Sequence, residues 1–213
     1  MSKYMISKGK LNKYQLKRIE ETIDNALVKH PRITSLRIDL HTPLIEHDVV
    51  NNDMPDETYF VKIDSSVISR FIASLKAIIK AYIKAKEKDG IRVHKTSVGF
   101  LWVREFTPTS SKKHYHLLLL LNKDTFNYVG NFNEDKGALV SFIHRAWMSA
   151  LGLTYPYYRQ LVHLAKNGCF YLNAKDGKES EEYKRLIFAT SYFAKEYSKC
   201  FTDGERNFGC SQK

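Results

Sequence analysis

The hydrophobic pattern alternates between a period near 3.6 and a period of 2 along most of the chain. Leu16, Ile19, Ile23 and Leu27 recur at helical spacing before Pro31, and Asn12 with Gln15 resembles a capping box at the start of that helix. From Ser35 to His41 the period drops to 2: Leu36, Ile38 and Leu40 fall on one face, and Arg37, Asp39 and His41 on the other, as in a half-buried strand. A polar loop is expected from Thr42 to Asp56. A second helix is expected from Asp64 to Gly90, with Val67, Phe71, Leu75, Ile78 and Tyr82 as its apolar stripe and Lys76, Lys80, Lys84 and Lys88 opposite. That lysine stripe reads as a solvated face before it reads as a phosphate track.

Two strands follow, Ser97 to Phe106 and His114 to Leu121, and the polar segment between them makes a hairpin the natural pairing. Gly137 to Leu151 is helical and stops at Gly152, and a short second hairpin is expected from Leu161–Leu164 and Cys169–Leu172 around Asn167 and Gly168. A final helix is expected from Glu181 to Cys200, acidic at its start and basic at its end. This order predicts an α+β fold in which helices pack on a central antiparallel sheet of about five strands.

Composition narrows the class. The 213 residues carry 34 Lys and Arg against 23 Asp and Glu, a net charge of +11, so a polyanion, and nucleic acid first, is the expected partner. Three cysteines without a CxxC pair argue against a disulfide framework or a four-cysteine zinc site and fit a reducing cytosol. The charged N-terminus lacks an apolar signal region and no apolar run approaches a membrane span, so a cytoplasmic protein with no membrane partner is expected. No Walker A or GxGxxG motif occurs, which argues against a nucleotide-driven motor.

The chemistry concentrates in two places. On a strand, His114 and His116 point to one face, while Tyr115 points to the other. About 0.3 such His-x-His patterns are expected by chance in this composition, so the pair alone carries little. Glu105, opposite or nearly opposite His114 across the expected hairpin, adds a carboxylate to the same face. In the final helix Tyr192, Lys195 and Lys199 stand at i, i+3 and i+7, which is one helical face. A phenol framed by two ammonium groups suits attack on a phosphodiester, with a divalent metal polarising the phosphoryl oxygens. Tyr155, Tyr157, Tyr158 and Arg159, in the loop after the third helix, are candidates for stacking on and holding DNA.

In that order, Glu105, a turn, His114-Tyr115-His116 followed by an apolar strand, and Tyr192-Phe193-Ala194-Lys195 on a late helix resemble the HUH endonuclease superfamily of rolling-circle replication initiators. The chain is most similar to the inovirus replication-type and prophage YagK/YfjJ C-terminal domain family. The resemblance covers roughly residues 34–200. It implies an N-terminal helical extension over 1–33, an HUH-like domain over 34–205 and a tail over 206–213. It implies a Mg or Mn ion held by His114, His116 and Glu105, and Tyr192 as a nucleophile that forms a 5′-phosphotyrosine on single-stranded DNA or an origin hairpin. Lys195 would steady the phosphate or the tyrosine oxygen, and Lys199 and Arg37 would contact DNA. Asp39 and His41 would border the site without an assigned role. A replicative task in a bacterial host would need the host's helicase and polymerase. Tyr197, about 140° around a regular helix from Tyr192, would not form a tyrosine pair with it. Competing readings are an HUH transposase, a prophage DNA-binding regulator without catalysis, and an iron(II) oxygenase built on the two histidines and the carboxylate.

Overall fold

The computed structural model describes residues 3–5, 9–43, 57–106, 112–134, 136–197, 199–200 and 202–212. Most of the expected 42–56 loop and of the 107–113 turn lies outside these residues. The chain folds into two compact units: residues 1–39, 93–127 and 164–213 form the first, and residues 40–92 and 128–163 the second. The elements are α1 (Lys13–Lys29), β1 (Arg32–His41), α2 (Val67–Lys88), β2 (Gly99–Phe106), β3 (Lys113–Asn122), α3 (Leu139–Leu151), β4 (Val162–Asn173), α4 (Glu181–Ser191) and β5 (Phe208–Cys210). The class is α+β with a five-stranded antiparallel sheet, in the order β4-β1-β3-β2-β5. Among the described residues no helix is long and apolar enough to cross a membrane.

Each local signal has a visible cause. Asn12 caps α1, its side chain accepting from the Gln15 N–H at 3.0 Å, so one of the orphan donors of the first turn is satisfied. The stripe Ile19, Ile23 and Ala26 of α1 packs against Leu101 and Val103 of β2, Leu118 and Leu120 of β3, and Leu186 and Ile187 of α4, forming the core of the first unit. The run Leu117 to Leu121 is buried at every position, consistent with the central place of β3 in the sheet. In the second unit α2 and α3 pack together, Phe71 meeting Trp147 edge-on at 5.8 Å, and the Trp147 indole donates to the His41 carbonyl at 2.9 Å. α3 ends at Gly152, whose φ of 78° lets the chain turn back and satisfy the Met148 and Ser149 carbonyls.

Three elements differ from the sequence expectation. The expected second hairpin is one strand, β4, because Asn167 (φ 55°) and Gly168 make a local irregularity and not a reversal. A Cβ at Gly168 would lie 2.7 Å from the Ala165 carbonyl oxygen and 3.2 Å from Arg37 Cβ, so this tight approach requires glycine. Residues 208–210, in the expected tail, pair with β2 as β5. The preceding segment is held by buried Arg104, whose guanidinium donates to both oxygens of Asp203, to Glu205 and to Asn207. The third difference is the end of α4, which sets the geometry of the candidate site.

Candidate metal and tyrosine site

β2 and β3 pair antiparallel with Glu105 directly opposite His114 and Val103 opposite His116. The ligand atoms of Glu105, His114 and His116 lie within 4.8 Å of one another, the group of metal-ligating side chains found among the described residues. Glu105 is 1% exposed. Its Oε2 lies 3.3 Å from His116 Nε2 and 3.8 Å from His114 Nε2, and its Oε1 is buried without a hydrogen-bond partner among the described residues. A buried carboxylate oxygen with open valence beside two imidazole nitrogens is the donor set of a divalent cation site, and an open coordination position for substrate would remain.

β1 lies beside β3 in the sheet and brings Asp39 to the other side of His116, whose Nδ1 donates to Asp39 Oδ1 at 2.5 Å. That bond fixes the ring and aims Nε2 at Glu105, the arrangement by which an outer carboxylate orients a metal-binding histidine. The His116 ring also stacks on Phe193, with centroids 5.9 Å apart and planes 20° apart. Burial disfavours the His116 cation, but the hydrogen bonds to Asp39 and Glu105 outweigh it and raise the pKa. Burial and the neighbouring His116 lower the pKa of His114. For Glu105, burial favours the neutral acid, yet hydrogen bonds from His116 and Lys195 prevail and hold the pKa down to about 2.

The tyrosine reaches this cluster by a route that the helical pattern does not describe. α4 stops at Ser191; Tyr192–Ala194 form a 3-10 turn and Lys195 is extended, with φ −61° and ψ 142°. Thr190 and Ser191 hydroxyls donate back to the Leu186 and Phe188 carbonyls, a competition that weakens a helix end. Backbone partners from before α1 then take over: Asn12 N–H donates to the Ala194 carbonyl at 2.8 Å and Leu11 pairs with Lys195. The i, i+3, i+7 face of one continuous helix is therefore absent, and with it the helical argument about Tyr197, which is 67% exposed.

Tyr192 and Lys195 nevertheless meet. The Lys195 ammonium donates to the Tyr192 phenolic oxygen, lies 3.6 Å from the Tyr192 ring centroid and sits 2.8 Å from Glu105 Oε2. The Tyr192 ring stands edge-on to His116 at 5.7 Å. Burial works against the Lys195 charge, but the bonds to Glu105 and Tyr192 raise its pKa overall. Lys199 does not present its charge to solvent: it is 8% exposed and donates to the Phe193 carbonyl at 2.8 Å and to the Lys195 carbonyl. Burial pushes its pKa down to about 8. Its place is under the 192–195 turn, which it holds, and the expected DNA contact is corrected accordingly.

Arg37 lies beside the turn, its guanidinium 5.5 Å from the Phe193 ring centroid. His41 packs against the His163 ring at 4.6 Å in the second unit, and Tyr155, Tyr157, Tyr158 and Arg159 belong to that unit too, with Tyr157 73% exposed. Asp39 and Phe193 are the members of the site to which the sequence assigned no role. The alternation of β1 placed Asp39 on a polar face, but only the order of strands puts that face against His116.

The YagK/YfjJ C-terminal domain profile matches residues 1–211. The chain is 36% identical over 197 residues to "Uncharacterized protein YfjJ" of Escherichia coli (strain K12), covering 92% of each chain. It is 35% identical over 184 residues to "Uncharacterized protein YagK" of the same organism, covering 86% of this chain and 85% of the relative. No solved structure gives a significant match.

Proposed function

We propose that this chain, which belongs to the YagK/YfjJ C-terminal domain family, is a tyrosine-dependent enzyme that cuts and rejoins single-stranded DNA with a divalent metal, in the manner of HUH endonucleases that start rolling-circle replication. The observation that carries this reading is the convergence of three elements. Two imidazoles and a buried carboxylate come from β2 and β3, and a phenol bonded to a lysine comes from the turn after α4. A net charge of +11 supports a polyanionic substrate.

His114, His116 and Glu105 would hold the metal, with Mg or Mn as the expected ion. When bound, it would polarise a phosphoryl oxygen and lower the cost of charge in the transition state. The remaining work falls to the protein. The Tyr192 oxygen attacks a backbone phosphorus, so that a P–O bond to the tyrosine forms as the bond to the 3′-oxygen breaks. The phenolic proton is given up and the released 3′-oxygen takes one up. Lys195, already bonded to the phenolic oxygen, favours its anionic form and keeps it in place for attack. Asp39 keeps the His116 ring oriented. Because one phosphoester replaces another, the reverse step rejoins the ends without a nucleotide.

Incubation of end-labelled single-stranded DNA with the protein and Mn or Mg, followed by a denaturing protein gel, tests the reading. The expected result is a covalent adduct that disappears in Tyr192→Phe and in EDTA. Binding without adduct or cleavage across many sequences would overturn it in favour of a non-cleaving DNA-binding protein.

A further inference from the structure

Within the first unit an open groove of about 870 Å³ lies along α4 and the Asn167 irregularity of β4, a size usual for ligand clefts. Arg37, Lys166, Lys184 and Arg185 line it, together with the Phe188 ring, which is 38% exposed. Three acids also line it, but each is already engaged: Glu20 by Lys3 and Tyr4, and Glu179 and Glu181 by Lys184. Ion pairs exposed to water are weak, so they leave these lysines available to a stronger anion.

Arg37 ties the groove to the tyrosine. It lines the groove while its guanidinium rests on Phe193, the neighbour of Tyr192, and it interacts electrostatically with Asp39 and Tyr192. Its Nε is buried without a hydrogen-bond partner among the described residues, an N–H that costs free energy until an acceptor reaches it. Gly168 gives the Arg37 side chain its room, since any Cβ there would press on Arg37 Cβ.

We infer that this groove binds the nucleotides that flank the cut phosphate, as single-stranded DNA. Arg37 takes the phosphate next to Tyr192, Lys166, Lys184 and Arg185 take those further along, and Phe188 stacks on a base. A ring on an open groove wall needs an unstacked base face, which a single strand offers and a duplex does not. The inference rests on the DNA-cutting reading for the identity of the strand, but its binding test does not depend on cleavage.

The test uses the full chain carrying Tyr192→Phe, in EDTA, with a fluorescein-labelled 12-nucleotide single strand read by anisotropy. Adding Lys166→Glu with Phe188→Ala should weaken binding roughly tenfold or more, while Lys80→Glu with Lys84→Glu on α2 should change it less than threefold. Unchanged binding in the groove variant overturns the inference. Phe188→Trp supplies a second readout should the groove variant unfold. Trp102 and Trp147 are buried, so the new exposed indole should be quenched by the oligonucleotide, and absence of quenching likewise overturns the groove. Normal binding by the groove without any covalent adduct from the unmodified protein would condemn the cutting reading alone.

Discussion

The Lys195 ammonium lies 2.8 Å from Glu105 Oε2, so the lysine that touches the tyrosine also neutralises the carboxylate of the candidate metal site. Both side chains are almost wholly buried. Removing one partner of such a pair leaves a buried charge uncompensated. Lys195→Met should therefore lower stability by about 3 kcal/mol in urea unfolding at neutral pH. It should also reduce covalent adduct formation by about 100-fold or more, since the phenolic oxygen loses its donor.

Tyr192→Phe removes only the hydroxyl. The ring contacts with His116 and Lys195 remain, so unfolding free energy should change by no more than about 1.5 kcal/mol while adduct formation is abolished. Tyr197→Phe, at an exposed position whose ring lies 5.1 Å from the Lys195 ammonium, keeps that ring contact and should form adduct at the normal rate.

Asp39→Asn keeps the size of the side chain and removes the charge that orients His116. Mn affinity measured by calorimetry should fall roughly 10- to 100-fold, with little change in the circular dichroism spectrum.

The cluster also predicts a pH optimum for stability without metal. Glu105 has a folded pKa near 2 against 4.5 for a free carboxyl, so its contribution is complete above 4.5 and is lost as pH falls toward 2. His114 is lowered from 6.5, so the unfolded chain holds its proton longer and stability rises with pH until 6.5. His116 is raised from 6.5, so its contribution is complete below 6.5 and is lost as pH climbs through its folded pKa. In EDTA the melting temperature should peak near pH 6.5. From about pH 8 to 10.5 Lys199 works the other way, because only the unfolded chain keeps that proton. A melting curve that rises steadily from pH 5 to 8 would contradict this balance.

At the sheet edge, a Cβ on Gly209 would lie 2.6 Å from the Trp102 indole, which is 6% exposed. Gly209→Ala should cost about 1–3 kcal/mol and loosen β5 from β2, seen as faster amide exchange at residues 208–210.

Local pattern was enough for much of this architecture. The cap at Asn12, the stripe of α1, the alternation of β1 and the pairing that sets Glu105 opposite His114 all follow from interactions within a few residues or across one hairpin, which periodicity records directly. The grouping of Glu105, His114 and His116 that could hold a metal ion was legible for the same reason. The end of α4 was not. Helical spacing runs on through Lys199, but hydroxyls at Thr190 and Ser191 compete for the Leu186 and Phe188 carbonyls, and the distant backbone of Lys10 and Asn12 pairs with Glu196 and Ala194 once the chain has turned at Tyr192. The continuous β4, the pairing of β5 and the role of Asp39 likewise depend on neighbours far apart in the chain. The sequence by itself determined that Glu105, His114 and His116 would share one face of the β2–β3 pair, and it named Tyr192 and Lys195 as candidates to join them. Tertiary structure alone decided that β1 lies against β3, so that Asp39 orients His116, and that a turn, not a helix face, delivers Tyr192 and Lys195 to Glu105. Side-chain periodicity encodes direction within an element, whereas strand order and backbone partners from remote segments are settled only when the whole core packs.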